Sequence, residues 1–138
     1  MSRGQRGQIT VMTIGFFVFL GLLAVVVINS SAAFLQRQQL DNLADGAALA
    51  AADGLSEEAF YRDGADSAIE LDPGEARRLV SQYVAASGDT ISSMAVTTAG
   101  DEVHVRVERT VSLAIAPPGW NTQTTIVSEA TSQLRLGD

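Results

Sequence analysis

Apolar residues are concentrated near the N-terminus, where a continuous run of twenty residues extends over Ile9–Ile28 (ITVMTIGFFVFLGLLAVVVI). No charged residue interrupts the chain between Arg6 and Arg37. At a rise of about 1.5 Å per residue, a helix of this length covers about 30 Å, which matches the hydrocarbon thickness of a bilayer. The pattern predicts a transmembrane helix over residues 9–29, preceded by a short segment, residues 1–8.

A helical pattern continues over residues 30–55, which lack proline and are rich in Ala, Leu and Gln. Apolar residues recur there at spacings of three and four, and most of them are small. Small side chains allow a second backbone to approach closely, either the chain's own sheet or a helix of another subunit, and one rod can make both contacts. The residues predicted to pack in this way are Leu40, Ala44, Ala47, Ala48, Ala51 and Leu55. Gly54 is the predicted C-terminal cap of the rod.

Acidic residues dominate the next stretch, which has eight carboxylates and one arginine, Arg62, between positions 53 and 75. Calcium takes six to eight oxygen ligands, but the spacing of these carboxylates fits no EF-hand loop. We therefore predict a solvated acidic connector over residues 56–72, with calcium binding as an open alternative.

A small α+β domain is predicted over residues 73–138. Its helix, residues 73–86, has a recognisable start, because Asp72 can cap it, Pro73 suits the first helical position and Glu75 completes a capping box. The apolar side of this helix consists of Leu79, Val80, Tyr83 and Val84. Such a short amphipathic helix is suited to cover a sheet.

Strand patterns fill the rest of the chain. Residues 94–98 precede a turn at Gly100, after which apolar and polar residues alternate. The alternating apolar residues are Val103, Val105, Val107, Val111, Leu113 and Ile115. Arg109 falls on the apolar side of this alternation, which predicts a bulge or a change of strand there. A last strand carries Ile126, Ala130, Leu134 and Leu136 on one face.

These elements together predict an α+β, pilin-like fold. In it, a long N-terminal transmembrane helix continues outside the membrane and precedes a short helix packed on an antiparallel sheet of about three strands.

Charge is distributed unevenly along the chain. Arg3 and Arg6 precede the apolar run, whereas residues 38–138 carry six Arg against sixteen Asp and Glu, a net charge of −10. Basic residues beside a span stay on the cytoplasmic side, so the acidic domain is predicted to lie outside the cytoplasmic (inner) membrane. The absence of a basic patch in this domain argues against nucleic-acid binding.

Residues suited to catalysis are sparse. His104 is the only histidine, the chain has no cysteine, and a lone histidine lacks the convergent partners of a catalytic triad or a zinc site. No phosphate-binding glycine loop is present. We predict no enzyme activity, no cofactor, no metal site and no small-molecule substrate.

Trp120, the sole tryptophan, lies in a predicted loop. Its amphipathic ring could anchor the loop at lipid headgroups or a partner, where such rings are favoured. The preferred interpretation is that it plugs the end of the small core.

One combination of motifs is more specific than its parts. It consists of Arg6, Gly7 and Gln8 before the span, followed by Asn42, Ala44, Asp45, Ala47, Ala48 and Leu49 in the helical extension. Together they resemble the N-terminal signature of the TadE/TadG-like proteins of the Tad (tight adherence, Flp) pilus-assembly machinery. The resemblance covers roughly residues 3–55.

Two departures from that machinery's pattern shape the expectation. Processed pseudopilins carry Glu at the fifth mature position, but this chain has Met12 there after Gly7 and Ile9 after Gly4. We therefore expect no prepilin-type processing. The large metal-binding adhesion-type domain of TadG proteins is also not expected.

The resemblance implies a membrane-anchored minor pilin-like or assembly component of a Tad/Flp-type pilus apparatus. Its partners would be the lipid bilayer and other pilus-assembly subunits, contacted through helix packing. Two alternatives stay open. One is a secreted soluble protein released by signal peptidase after Ala32 or Ala33, since these small residues follow the apolar run. The other is a membrane-tethered acidic module for calcium or another envelope ligand.

Overall fold

The α+β layout is confirmed by a computed structural model, which describes residues 5–63, 71–116 and 118–134. Two helices precede three strands in the chain. They are α1 (Gln5–Asp63), α2 (Pro73–Ser87), β1 (Ser93–Ala99), β2 (Glu102–Ser112) and β3 (Gln123–Gln133). The strands form one antiparallel sheet in the order β1-β2-β3, with α1 packed against β2 and β3 and α2 packed against β1 and α1.

Helix α1 is continuous for 59 residues, which corresponds to a length of roughly 90 Å. The expected stop at Gly54 is wrong, because the helix passes through this residue and ends at Asp63. Residues 56–63, expected to belong to the acidic connector, are therefore helical, and residues 64–70 of that connector lie outside the described residues.

Two glycines of α1 allow the close approach of α2. A Cβ added at Gly54 would lie 2.9 Å from Cδ1 of Leu79, and one added at Gly46 would lie 2.2 Å from the hydroxyl oxygen of Tyr83. Both distances are shorter than a carbon atom tolerates. Gly54 thus serves helix packing, where a pattern read along the chain predicts a cap.

Helix α2 begins and ends close to the predicted residues. The Asp72 side chain accepts a hydrogen bond from the backbone N–H of Gly74 at 2.8 Å, and Pro73 occupies the first helical position. The helix stops at Gly88, whose φ of 73° is left-handed and favours glycine. Local chemistry therefore defines both ends of α2.

The expected bulge at Arg109 is wrong. Strand β2 pairs with β3 in one uninterrupted register, in which Arg109 lies opposite Ile126. The Arg109 guanidinium instead donates to the Asp89 carboxylate at 2.9 Å and to the Thr90 carbonyl at 2.8 Å. An arginine can occupy a position on the apolar side of a strand because these acceptors bind its guanidinium at the edge of the core.

The core lies between α1, α2 and the inner face of the sheet. Its largest fully buried side chains are Leu40, Val80, Val103, Val105 and Val107. Ser128 of β3 is a buried polar residue in this layer, and its hydroxyl donates to the Asp41 carboxylate of α1. The hydrogen bond satisfies the buried hydroxyl and joins α1 to β3.

The outer face of the sheet is polar and exposed. Arg106 of β2 pairs with Glu108 on the same strand and with Glu129 on β3, at 3.1 and 2.6 Å. Hydrogen bonds from Ser93 and from Arg106 lower the pKa of Glu108 below its ordinary value. This polar face of the sheet is therefore in contact with solvent, whereas α1 and α2 cover the apolar face.

Candidate partner-binding surface of the long helix

The six residues predicted to pack closely are all buried, with exposures between 0% and 5%. They are Leu40, Ala44, Ala47, Ala48, Ala51 and Leu55, and all of them belong to the core formed with α2 and the sheet. Of the two contacts considered for this face, the structure shows the one with the chain's own domain. These side chains leave no exposed surface for a second chain, because their own sheet and α2 already cover them.

Short side chains on this face determine how closely the domain approaches α1. Alanine places only a methyl group between the helix and the valines of the sheet. Together with Gly46 and Gly54, the alanines allow α1 to be covered on two adjacent sides, by the sheet and by α2. We call this surface the core face of α1.

The opposite side of α1 is uncovered. Asn42, Asp45 and Leu49 are exposed there, and the Leu49 side chain is 55% exposed. At about 100° per residue these three positions lie within an arc of about 60°, turned away from the centre of the core face. Leu35 and Phe60 are also exposed on this side. We call these five residues the outer face of α1.

The structure divides the motif of the resemblance between these two faces. Ala44, Ala47 and Ala48 are buried in the core face, whereas Asn42, Asp45 and Leu49 belong to the outer face. The alanines are explained by the packing of the chain's own domain. The three exposed residues are not explained by that packing, so they are the part of the motif available to another molecule.

The N-terminal motif positions begin α1. Gly7 and Gln8 are exposed helical residues, and Arg6 lies in the first turns of the helix. Arg3 and the side chain of Arg6 lie outside the described residues, so their predicted role in orientation stays a prediction.

The apolar run forms the exposed N-terminal part of α1. Within Gly7–Glu58, an 18-residue window has a mean hydropathy of 2.9, and none of that window is buried against the rest of the chain. The helix is long and apolar enough to span a membrane. Among the described residues it is one candidate transmembrane helix, near the N-terminus.

His104 lies on the polar face of β2, as predicted. Its Nδ1 lies 2.8 Å from the Thr131 hydroxyl, and its Nε2 lies 3.3 Å from a Glu102 carboxylate oxygen. Within the described ranges, no group of three His, Asp or Glu side chains is placed to hold a metal ion. Asp66 and Glu70 of the acidic connector lie outside those ranges, so calcium binding there stays untested.

The loop between β2 and β3 differs from the expectation. Strand β2 ends at Ser112, so Leu113 and Ile115 belong to this loop. Trp120 is 69% exposed, which contradicts the preferred interpretation that it plugs the core. Its ring is therefore free to contact something outside the chain.

Residues 7–54 match the family model described as "Putative Flp pilus-assembly TadE/G-like". This segment of the chain is therefore similar to TadE/G-like pilus-assembly proteins. The match confirms the resemblance seen in the sequence and supports involvement in Flp pilus assembly. No match to this chain was found among curated proteins or among solved structures.

The matched segment contains the apolar run and most of the core face and of the outer face, with Leu55 and Phe60 lying just beyond it. Helix α2 and the sheet lie beyond it.

Proposed function

We propose that the protein is a membrane-anchored, non-enzymatic component of a Flp-type pilus apparatus, either a minor pilin-like subunit or an assembly factor. The match over residues 7–54 supports the machinery, and the exposed apolar run supports the anchor. The proposed function is mechanical. The chain holds a folded domain at the membrane and offers one helix surface to a neighbouring subunit.

One observation carries the proposal. Within the matched segment, the chain's own domain covers the small residues, while Asn42, Asp45 and Leu49 are exposed along one side of a continuous helix. Residues at spacings of three, four and seven on one side can meet a second helix. The outer face combines an apolar side chain with an amide and a carboxylate, which favours a specific contact over general adhesion.

The orientation follows from charge. Arg3 and Arg6 hold the N-terminus on the cytoplasmic side, and the acidic domain lies on the other side of the inner membrane. The secreted alternative is less well supported, because cleavage after Ala32 or Ala33 would remove Asn29. The Asn29 amide makes hydrogen bonds of 2.7 and 2.9 Å with the backbone of Ile115 in the folded domain.

Orientation and anchoring can be tested together with a reporter fused after Asp138 that is active only outside the cytoplasm. We expect an active reporter that fractionates with membranes. An inactive reporter would contradict the orientation, and an active reporter released into the soluble periplasmic or external fraction would contradict the anchor.

The outer face can be tested with Asn42→Arg and Leu49→Arg combined in one variant. Both side chains are exposed, so the fold and the membrane level should be unchanged, whereas two long cationic side chains placed in a partner contact obstruct its packing and lose their water there, a cost that Asp45 between them offsets only in part. We expect the variant to lose co-purification with the pilus-assembly subunits and to lose piliation in cells that carry it as their sole copy.

A matched control combines Gln82→Arg with Ala85→Arg on the exposed side of α2, which adds two cations to the domain away from the outer face. The control should assemble like the wild type. Wild-type assembly of the outer-face variant, or equal loss in both variants, would contradict a partner contact at Asn42 and Leu49.

A further inference from the structure

The loop after β2 is fastened to α1 at the end of the apolar run. The Asn29 side-chain N–H donates to the Ile115 backbone carbonyl at 2.7 Å, and the Ile115 backbone N–H donates to the Asn29 side-chain Oδ1 at 2.9 Å. The base of the loop is closed by a hydrogen bond of 2.8 Å from the Leu113 N–H to the Thr122 carbonyl. The loop therefore has a fixed height along α1.

That height is the boundary of the predicted membrane span. Asn29 directly follows Ile28, the last residue of the apolar run, and is only about 1.5 Å further along the helix. Val25, one turn earlier on the same side of α1, is the first residue after Gly7 that is partly covered. A bilayer has about 5–8 Å of interfacial region on each side of its hydrocarbon core, so Asn29 lies within it.

The composition of the loop matches this position. No charged residue occurs from Thr110 to Ser128, although residues 38–138 carry a net charge of −10. The described residues of the loop include exposed apolar side chains, Ile115 at 41% and Trp120 at 69% exposure. An uncharged loop with an exposed tryptophan is the composition that the lipid headgroup region favours.

Resting on the proposed membrane anchor, we propose that this loop is a second membrane contact, in which Trp120 and Ile115 enter the outer interfacial region beside the span. Asn29 is the positioning residue. Its amide satisfies the N–H and the C=O of Ile115, two backbone groups that would otherwise lose water at the edge of the lipid. With the span and the loop both held by lipid, the domain has a fixed tilt that a single flexible anchor does not impose.

Trp120 itself serves as the fluorescent probe of the loop, because it is the only tryptophan in the sequence. The full chain is placed in vesicles of phosphatidylethanolamine and phosphatidylglycerol that contain phosphatidylcholine brominated either near the headgroup or near the chain end. We expect bromine near the headgroup to reduce Trp120 emission more than bromine at the chain end. We also expect acrylamide in water to quench Trp120 less than it quenches an aqueous tryptophan.

Two variants built on Trp120→Phe calibrate the depth. Phe19→Trp places the probe near the middle of the span, and Tyr83→Trp places it beside Gly46, about 27 Å beyond the run along α1. In the otherwise wild-type chain, Asn29→Ala should shift Trp120 emission and quenching towards those of the Tyr83→Trp control while the circular dichroism of the domain is retained.

The outcomes separate the loop contact from the anchor. If Phe19→Trp is quenched by lipid and Trp120 behaves like Tyr83→Trp, the loop contact is overturned, the anchor stands, and the tryptophan is left for a protein partner. If lipid quenches none of the probes, the anchor and the loop contact both fail. If Asn29→Ala leaves the quenching of Trp120 unchanged, the positioning role of Asn29 is overturned.

Discussion

Replacing Ala47 and Ala51 together with leucine should lower the free energy of unfolding by about 1–3 kcal/mol per site. Both alanines have 0% exposure on the core face of α1. Leucine has a similar helix propensity, so the helix itself should be retained. The larger side chains must push the sheet and α2 away from α1. The loss of unfolding free energy therefore measures how tightly these elements pack on the two alanines. The measurement is urea unfolding of the full-length chain in detergent, followed by circular dichroism.

A matched control makes the same chemical change where nothing packs. Ala85 and Ala86 are exposed on α2, so replacing both with leucine should leave the unfolding free energy within about 0.5 kcal/mol of the wild type. Wild-type stability of the Ala47 and Ala51 double variant would contradict the assignment of the core face. If the Ala47 and Ala51 double variant is stable but fails to assemble, these alanines form a contact between subunits instead.

Local signals in the sequence predicted most of the architecture. The apolar run, the N-terminal cap of α2 at Asp72, and the alternation along β2 are each determined by residues close together in the chain. Helix and strand periods differ enough to be recognised without tertiary information. The order of the elements and the three-stranded sheet followed from these signals.

Two of the errors share one cause, which is contact between distant residues. Gly54 has the composition of a helix stop, but the approach of Leu79 uses the space that its missing side chain leaves. Arg109 interrupts an apolar pattern, but Asp89 and Thr90 supply acceptors across the edge of the sheet. No pattern along the chain could place these partners, because they depend on how α2 and its following loop are packed.

The candidate surface was only half predictable for the same reason. The sequence identified the helical segment and its motif, yet it left two contacts open for the small residues, the chain's own sheet or a helix of another subunit. The structure assigns those residues to the fold and leaves Asn42 and Leu49 exposed. Periodicity identifies a face of a helix but not which neighbour covers it, and here the chain's own domain is the neighbour.

Leu40→Ala and Leu49→Ala should separate the two faces of α1 by their stability alone. Leu40 has 0% exposure in the core, and its truncation leaves a cavity under the sheet, so we expect a loss of about 2–5 kcal/mol in unfolding free energy. Leu49 is 55% exposed, and the same truncation should change that free energy by no more than about 0.5 kcal/mol. Both variants remove the same atoms from the same helix.

Urea unfolding of both full-length variants in detergent checks the pair. The contrast depends on where the domain sits around α1, since a rotation of the helix by half a turn would exchange the two results. Equal losses would therefore contradict the described packing of α1, even if the helix and the sheet both exist. A large loss for Leu49→Ala alone would show that the face proposed for a partner is instead required by the fold.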